Sequence, residues 1–198
     1  SLLAGHRAGD VPVVHALLAL MLLQASRLPA RTDAGGDLLL LEQQDRSLWD
    51  RRLIALGMSS LARAAQGEEL SVYHLQAGIA SCHAAAASEA DTPWPVILGY
   101  YDQLLHLTPS PVVMLNRTVA LAKVCGAQAG LAELDRIQHE AALTGYYLLH
   151  ATYADFHRQL GDSGKAKLAY ARALALAGTA PERRFLQRRL EACGEGMA

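Results

Sequence analysis

Apolar residues run along this chain at helical spacing, cut by short polar turns. From Val11 to Leu23 almost every position is apolar except His15, which predicts a helix over about 11–26 buried on more than one side. Asp10 is placed to cap it, and Pro12 suits its first turn, where backbone donors lack helical partners. The stretch from Leu28 to Asp37 is irregular and polar: Pro29 stops the helix and Gly35-Gly36 permits positive φ. Leu38 to Leu41 read as a short extended or turn-like segment against the core. A long helix is expected over about 47–66, with Leu48, Trp49, Leu53, Leu56 and Leu61 on its apolar side and Gly57 weakening it slightly.

From Ser71 onward the pattern becomes regular, predicting helices at about 72–87, 93–107, 111–125, 128–138, 144–160, 164–177 and 181–192. Thr92 with Pro93, and Ser110 with Pro111, read as a cap followed by proline at the first helical position. Gly161-Asp162-Ser163 ends one helix and caps the next, and Thr179 with Glu182 has capping-box spacing. Short turns imply antiparallel neighbours. The second half repeats with a period close to the roughly 34 residues of tetratricopeptide repeats. In the unit 147–178, Gly161, Ala166, Tyr170 and Ala173 fall where such a repeat needs a turn glycine, small helix contacts and a gap-filling aromatic. Gly130, Leu134 and Ile137 match them in the unit 110–138. A weaker unit pairs 72–87 with 93–107.

The expected fold is therefore all-α, antiparallel hairpins stacked as a tetratricopeptide-like right-handed solenoid. One α-helical domain over 1–198 divides into a distinctive part at 1–70, with an irregular charged segment at 27–46, hairpins at 71–178 and a capping helix at 179–193. Composition agrees: 52% of residues are hydrophobic and only 19% charged, with alanine and leucine, both strong helix formers, in excess. The net charge of −1 offers no general attraction for polyanions. Cys82, Cys125 and Cys193 form no CxxC pair, so neither a zinc site nor a disulfide framework is indicated, and a reducing cytoplasm is the simplest reading. The run from Val11 to Leu23 reads as too short to cross a bilayer. The opening residues lack the pattern of a secretory leader and resemble the tail of an earlier helix, so a piece of a longer protein is expected.

Catalytic chemistry finds no foothold. There is no HExxH, GxSxG, P-loop or GxGxxG. Eight histidines are present, with His6 near the start and the others in or beside helices. His150 and His157 lie two turns apart near Asp155, which reads as a packed or solvated pair sooner than a metal face. No catalytic residue, metal or cofactor is expected. Arg183, Arg184, Arg188 and Arg189 read as a solvated cap over the end of the helical array.

The cluster Arg31, Asp33, Glu42, Asp45, Arg46, Trp49 and Arg51 stands apart, dense in both signs of charge within the irregular segment. It suits first an ion-pair network pinning the loop, and with it a partner surface, since arginine and tryptophan are common interface anchors. A ligand pocket contacted by Arg31, Arg46 and Trp49 is a further alternative. A concave helical surface is expected to carry Tyr73, Tyr100, Asn116, Arg117, Tyr147, His150 and Tyr153.

The segment RLPARTDAGGDLLLLEQQDRSLWDR from Arg27 resembles the signature of the C-terminal extension of one group of bacterial extracytoplasmic-function (ECF) sigma factors of RNA polymerase. YHLQAGIASCHA from Tyr73, PSPVVMLNRTVALA from Pro109, GYYLLHATYADFHRQLG from Gly145 and PERRFLQRRL from Pro181 continue the likeness in order. The resemblance implies a regulatory, tetratricopeptide-like module that acts by protein–protein contact in place of an anti-sigma factor. Its implied partners are its own sigma domains, core RNA polymerase and a small YCII-related protein. Promoter DNA would be read by sigma domains that this sequence lacks, and no membrane association is implied. A small-molecule-sensing domain and a stand-alone adaptor are the alternatives.

Overall fold

The computed structural model describes residues 11–195. The expected cap at Asp10, His6 and the opening residues lie outside them. Among the described residues the chain is all-helical, with nine α-helices and no strand. They are α1 (Pro12–Ala25), α2 (Arg51–Ala64), α3 (Val72–Ala85), α4 (Trp94–Leu107), α5 (Pro111–Cys125), α6 (Ala127–Ile137), α7 (Tyr147–Gln159), α8 (Ser163–Leu176) and α9 (Ala180–Glu195). Single 3-10 turns at Leu28–Ala30, Leu41–Gln43 and Arg46–Leu48 fill the irregular segment.

The chain divides into two compact units. One comprises residues 1–33 and 39–108, the other 34–38 and 109–198. In the first, α1 packs against α2 and α3, and α3 against α4. Leu23, Ala30, Trp49, Ile54, Ala80 and Ala84 form its core. The apolar character of α1 on all sides follows from having two helical neighbours. By length and composition Pro12–Ala30 is apolar enough to cross a membrane. Its α-helical part is 14 residues, a length of about 21 Å against the ~30 Å of a hydrocarbon core. His15, Ala16, Ala19 and Leu23 are buried in the fold.

Helix α2 starts at Arg51, later than the pattern of apolar residues implied, because Asp50 caps it through Arg52 N and Leu53 N at 2.9 and 3.0 Å. From that start Ile54, Gly57 and Ala64 form the buried stripe. Leu48 and Leu56, expected on the apolar side, are 54% and 47% exposed. Leu48 lies in the preceding turn, and Leu56 is two residues, about 200°, round the helix from Ile54. Gly57 does more than weaken the helix: a Cβ there would come within 2.8 Å of Leu23 Cγ, so its absence sets the approach of α1.

In the second unit each helix from α5 to α9 packs against the next in chain order. The α5–α6 hairpin turns on Gly126 alone, at φ 89°. The α7–α8 hairpin turns through Gly161, at φ 79°, with Asp162 accepting from Lys165 N at 3.0 Å. Both features match the expected glycine stop and aspartate cap. Leu115, Leu131, Leu134, Leu143, Leu149 and Phe156 form one core and Ala166, Tyr170, Ala173 and Leu186 belong to another. Gly130 lies where a Cβ would meet the Phe156 ring at 2.6 Å and Ala122 Cβ at 2.9 Å, which explains a small residue at that position. The capping box at α9 is present: Glu182 accepts from Thr179 N at 2.9 Å.

Candidate functional site

Two places gather polar side chains, one in each unit. In the first, the turn Arg46–Leu48 is capped by Asp45, which accepts from Ser47 N at 2.8 Å. This turn aims the Arg46 guanidinium at the C-terminus of α3. Its Nη1 donates to His83 O at 2.7 Å and Ala86 O at 2.8 Å, and its Nη2 to Thr92 Oγ1 at 3.4 Å. The last carbonyls of a helix lack intrahelical donors and carry the negative end of its dipole, so a buried guanidinium is well matched there. Arg46 also lies over the ring of Trp49 at 4.9 Å, with Arg27 at 5.9 Å from the same ring.

This arrangement corrects the expected ligand site around Arg31, Arg46 and Trp49. Trp49 is 2% exposed, and both terminal nitrogens of Arg46 are engaged on protein oxygens. The expected capping role of Thr92 is corrected as well. Helix α4 begins at Trp94 without a side-chain cap, while the Thr92 hydroxyl donates to Ser88 O at 3.3 Å and accepts from Arg46. Of the other residues singled out, Arg31 is exposed and its carbonyl accepts from Leu39 N at 3.0 Å. Asp33 is half-buried, Glu42 is exposed beside its turn, and exposed Arg51 donates to Arg46 O at 3.4 Å. His83 sits edge-on to Trp94 at 5.3 Å. Burial first, then the charges of Arg27 and Arg46, hold its imidazole down at about 4, against a smaller opposing pull from Glu89.

In the second unit a cavity of about 580 Å³ opens between α7 and α8. His150, Tyr153 and His157 fall at i, i+3 and i+7 on α7, and Lys165, Leu168 and Arg172 at i, i+3 and i+7 on α8, so each helix turns one face to it. Gln138, His139 and Thr144 close it from the α6–α7 connection, and Leu149 and Ala169 complete the wall. Tyr153 stacks on His157 at 6.4 Å and its hydroxyl donates to Asp135 at 2.8 Å. Burial and then that carboxylate hold the Tyr153 hydroxyl far above its ordinary range. Lys165 pairs with Asp162 at 2.9 Å. His150 Nε2 is buried and has no hydrogen-bond partner. Burial, followed by the charge of Arg172, lowers the pKa of this imidazole.

The expected concave-surface residues fall in both units. His150 and Tyr153 share the cavity. Asn116 is exposed on α5, and Arg117 pairs with Glu133 at 3.4 Å. Tyr147, edge-on to Tyr146 at 6.2 Å, has its hydroxyl pushed up to about 12, chiefly by burial and then by Glu182. Tyr73 and Tyr100 belong to the first unit, where Tyr100 packs over Gly78. Of the arginines expected to form a solvated cap on α9, Arg183, Arg184 and Arg188 are exposed, and each also finds a partner. Arg184 and Arg188 pair with Asp37, the latter at 2.9 Å, Arg183 donates to Ala177 O at 3.0 Å, and Arg189 lies 5.4 Å from the Phe185 ring. The cysteines are unpaired with one another, and no group of three or more His, Cys, Asp and Glu gathers as a metal site among the described residues.

The two centres fall differently against known proteins. Residues 1–65 match a family of unknown function, DUF6596. The match ends one residue past the last residue of α2 and takes in Arg46 and Trp49 but not the cavity. An uncharacterized protein of Rhizobium meliloti (strain 1021) is 39% identical over 180 residues, covering 91% of this chain and 42% of that protein. The chain thus spans less than half the length of the curated relative it matches. No solved structure matches it.

Proposed function

We propose that this chain is the C-terminal regulatory, protein-contacting extension of an ECF-type sigma factor of RNA polymerase, working in the cytoplasm without enzymatic activity. The observation that carries this reading is an apolar stripe left open on α1, within the DUF6596-like segment. Val13, Leu17 and Met21, at i, i+4 and i+8, are 39%, 36% and 61% exposed. Apolar side chains aligned on one exposed helix face suit burial against a protein partner. The likeness of the segment from Arg27 and the greater length of the Rhizobium meliloti relative support a parent protein with further domains. In this reading the α5–α9 hairpins stack as tetratricopeptide-like repeats. The partners are the protein's own sigma domains, core RNA polymerase and a YCII-related small protein, and promoter DNA is contacted only by the sigma domains.

The test is binding of the purified chain to core RNA polymerase and to a purified pair of ECF sigma domains. Binding to either, lost in the double variant Leu17→Glu, Met21→Lys, is the expected result. No binding to either partner would overturn the reading, as would equal binding by the double variant.

A further inference from the structure

The cavity between α7 and α8 is not used by the contacts proposed above, and its chemistry points elsewhere. None of the residues lining it is acidic, while Lys165, Arg172, His139, His150 and His157 all reach it. Its two ends differ. Toward the α7–α8 turn, Lys165 is already balanced by Asp162. At the other end Arg172 has no ion pair among the described residues, and it faces His150, whose Nε2 is buried without a partner. Between the ends run Leu149, Leu168, Ala169 and the Tyr153 ring.

We propose that this cavity binds a small organic acid, its carboxylate between Arg172 and His150 and its apolar body along Leu168, Ala169 and Tyr153. An anion at Arg172 gains a charge-assisted hydrogen bond and gives the buried His150 nitrogen a partner, which water-facing polar groups do not need. The apolar wall adds burial that inorganic anions cannot use. The volume lies within the range of about 300–1,000 Å³ common for small-molecule sites. The inference does not depend on the sigma-factor reading.

Phenylacetate, phenylacetamide and inorganic phosphate are the probes, titrated into the intact chain and followed by amide chemical-shift mapping. Phenylacetate should move α7 and α8 resonances around His150 and Arg172. Phenylacetamide should bind at least about tenfold more weakly, since one charge-assisted hydrogen bond is worth that much, and phosphate more weakly still. Arg172→Gln should lower phenylacetate affinity by about tenfold or more. Leu168→Glu, at a side chain 74% exposed and so tolerant of substitution, should abolish it. The proposal is overturned if phenylacetate leaves the cavity resonances unmoved, if phenylacetamide binds equally well, or if Arg172→Gln changes nothing. Phosphate binding as tightly as phenylacetate would also overturn it, because the apolar wall would then contribute nothing.

Discussion

Arg46 donates to the backbone carbonyl of His83 at 2.7 Å across a separation of 37 residues. One side chain from the irregular segment thereby terminates α3, supplying donors that the helix cannot find in its own sequence. Arg46→Met should cost about 2 kcal/mol, since two part-buried carbonyls lose a charged donor. Arg46→Lys should recover less than half of that, because an ammonium group lacks the planar fork that serves the carbonyls while stacking on Trp49. Urea denaturation of the three proteins checks both values.

His83 makes the stability of the first unit depend on pH. Its imidazole titrates at about 4 in the folded chain and near 6.5 when unfolded. Between those values the unfolded chain binds the proton and the folded chain does not. The stabilisation is complete above about pH 6.5 and lost as pH falls toward 4, a total of about 3 kcal/mol. The groups facing it are Arg27, Arg46 and Glu89. His83→Gln should flatten the stability profile over this window, measured as unfolding midpoints across the pH series.

Gly130→Ala should destabilise the second unit by about 1–3 kcal/mol through overpacking, because the new methyl would press on the Phe156 ring and on Ala122. Phe156→Leu in the same chain should return part of the loss. Thermal melts of the single and double variants read the coupling.

Asp37 accepts from both Arg184 and Arg188, at a site where the arginines are partly in water. Asp37→Asn should therefore cost only about 1 kcal/mol, and the difference from the unaltered chain should shrink as salt is raised. A double-mutant cycle with Arg188→Gln isolates the pair.

Local chemistry made the helices legible. Gly161 with Asp162, and Thr179 with Glu182, punctuate the chain within a few residues of each other, and such signals survive without tertiary context. Asp50 shows the limit: it is as good a cap as Asp45, and only the backbone decides that α2 starts after the former. Arg46 was visible as part of a charged cluster, but its role depends on where α3 ends in space, which residue spacing does not encode. The motif from Arg27 falls within the segment that matches a family of unknown function. The cavity was not legible. His150 with His157 read as a packed or solvated pair because the opposing row of Lys165, Leu168 and Arg172 meets them only after the turn at Gly161. The solvated arginines of α9 gave no hint of their pairing with Asp37, because it lies 147 residues from Arg184.

Residues 34–38 belong with 109–198, although the chain on both sides of them belongs with the first unit. A gene cut between Thr108 and Pro109 therefore does not yield two whole pieces. The downstream product would lack the carboxylate of Asp37, and α9 would keep two arginines without that counter-charge. The second unit cannot be moved between proteins as one uninterrupted cassette. Its inheritance is bound to that of the DUF6596-like segment, where five of its residues are encoded.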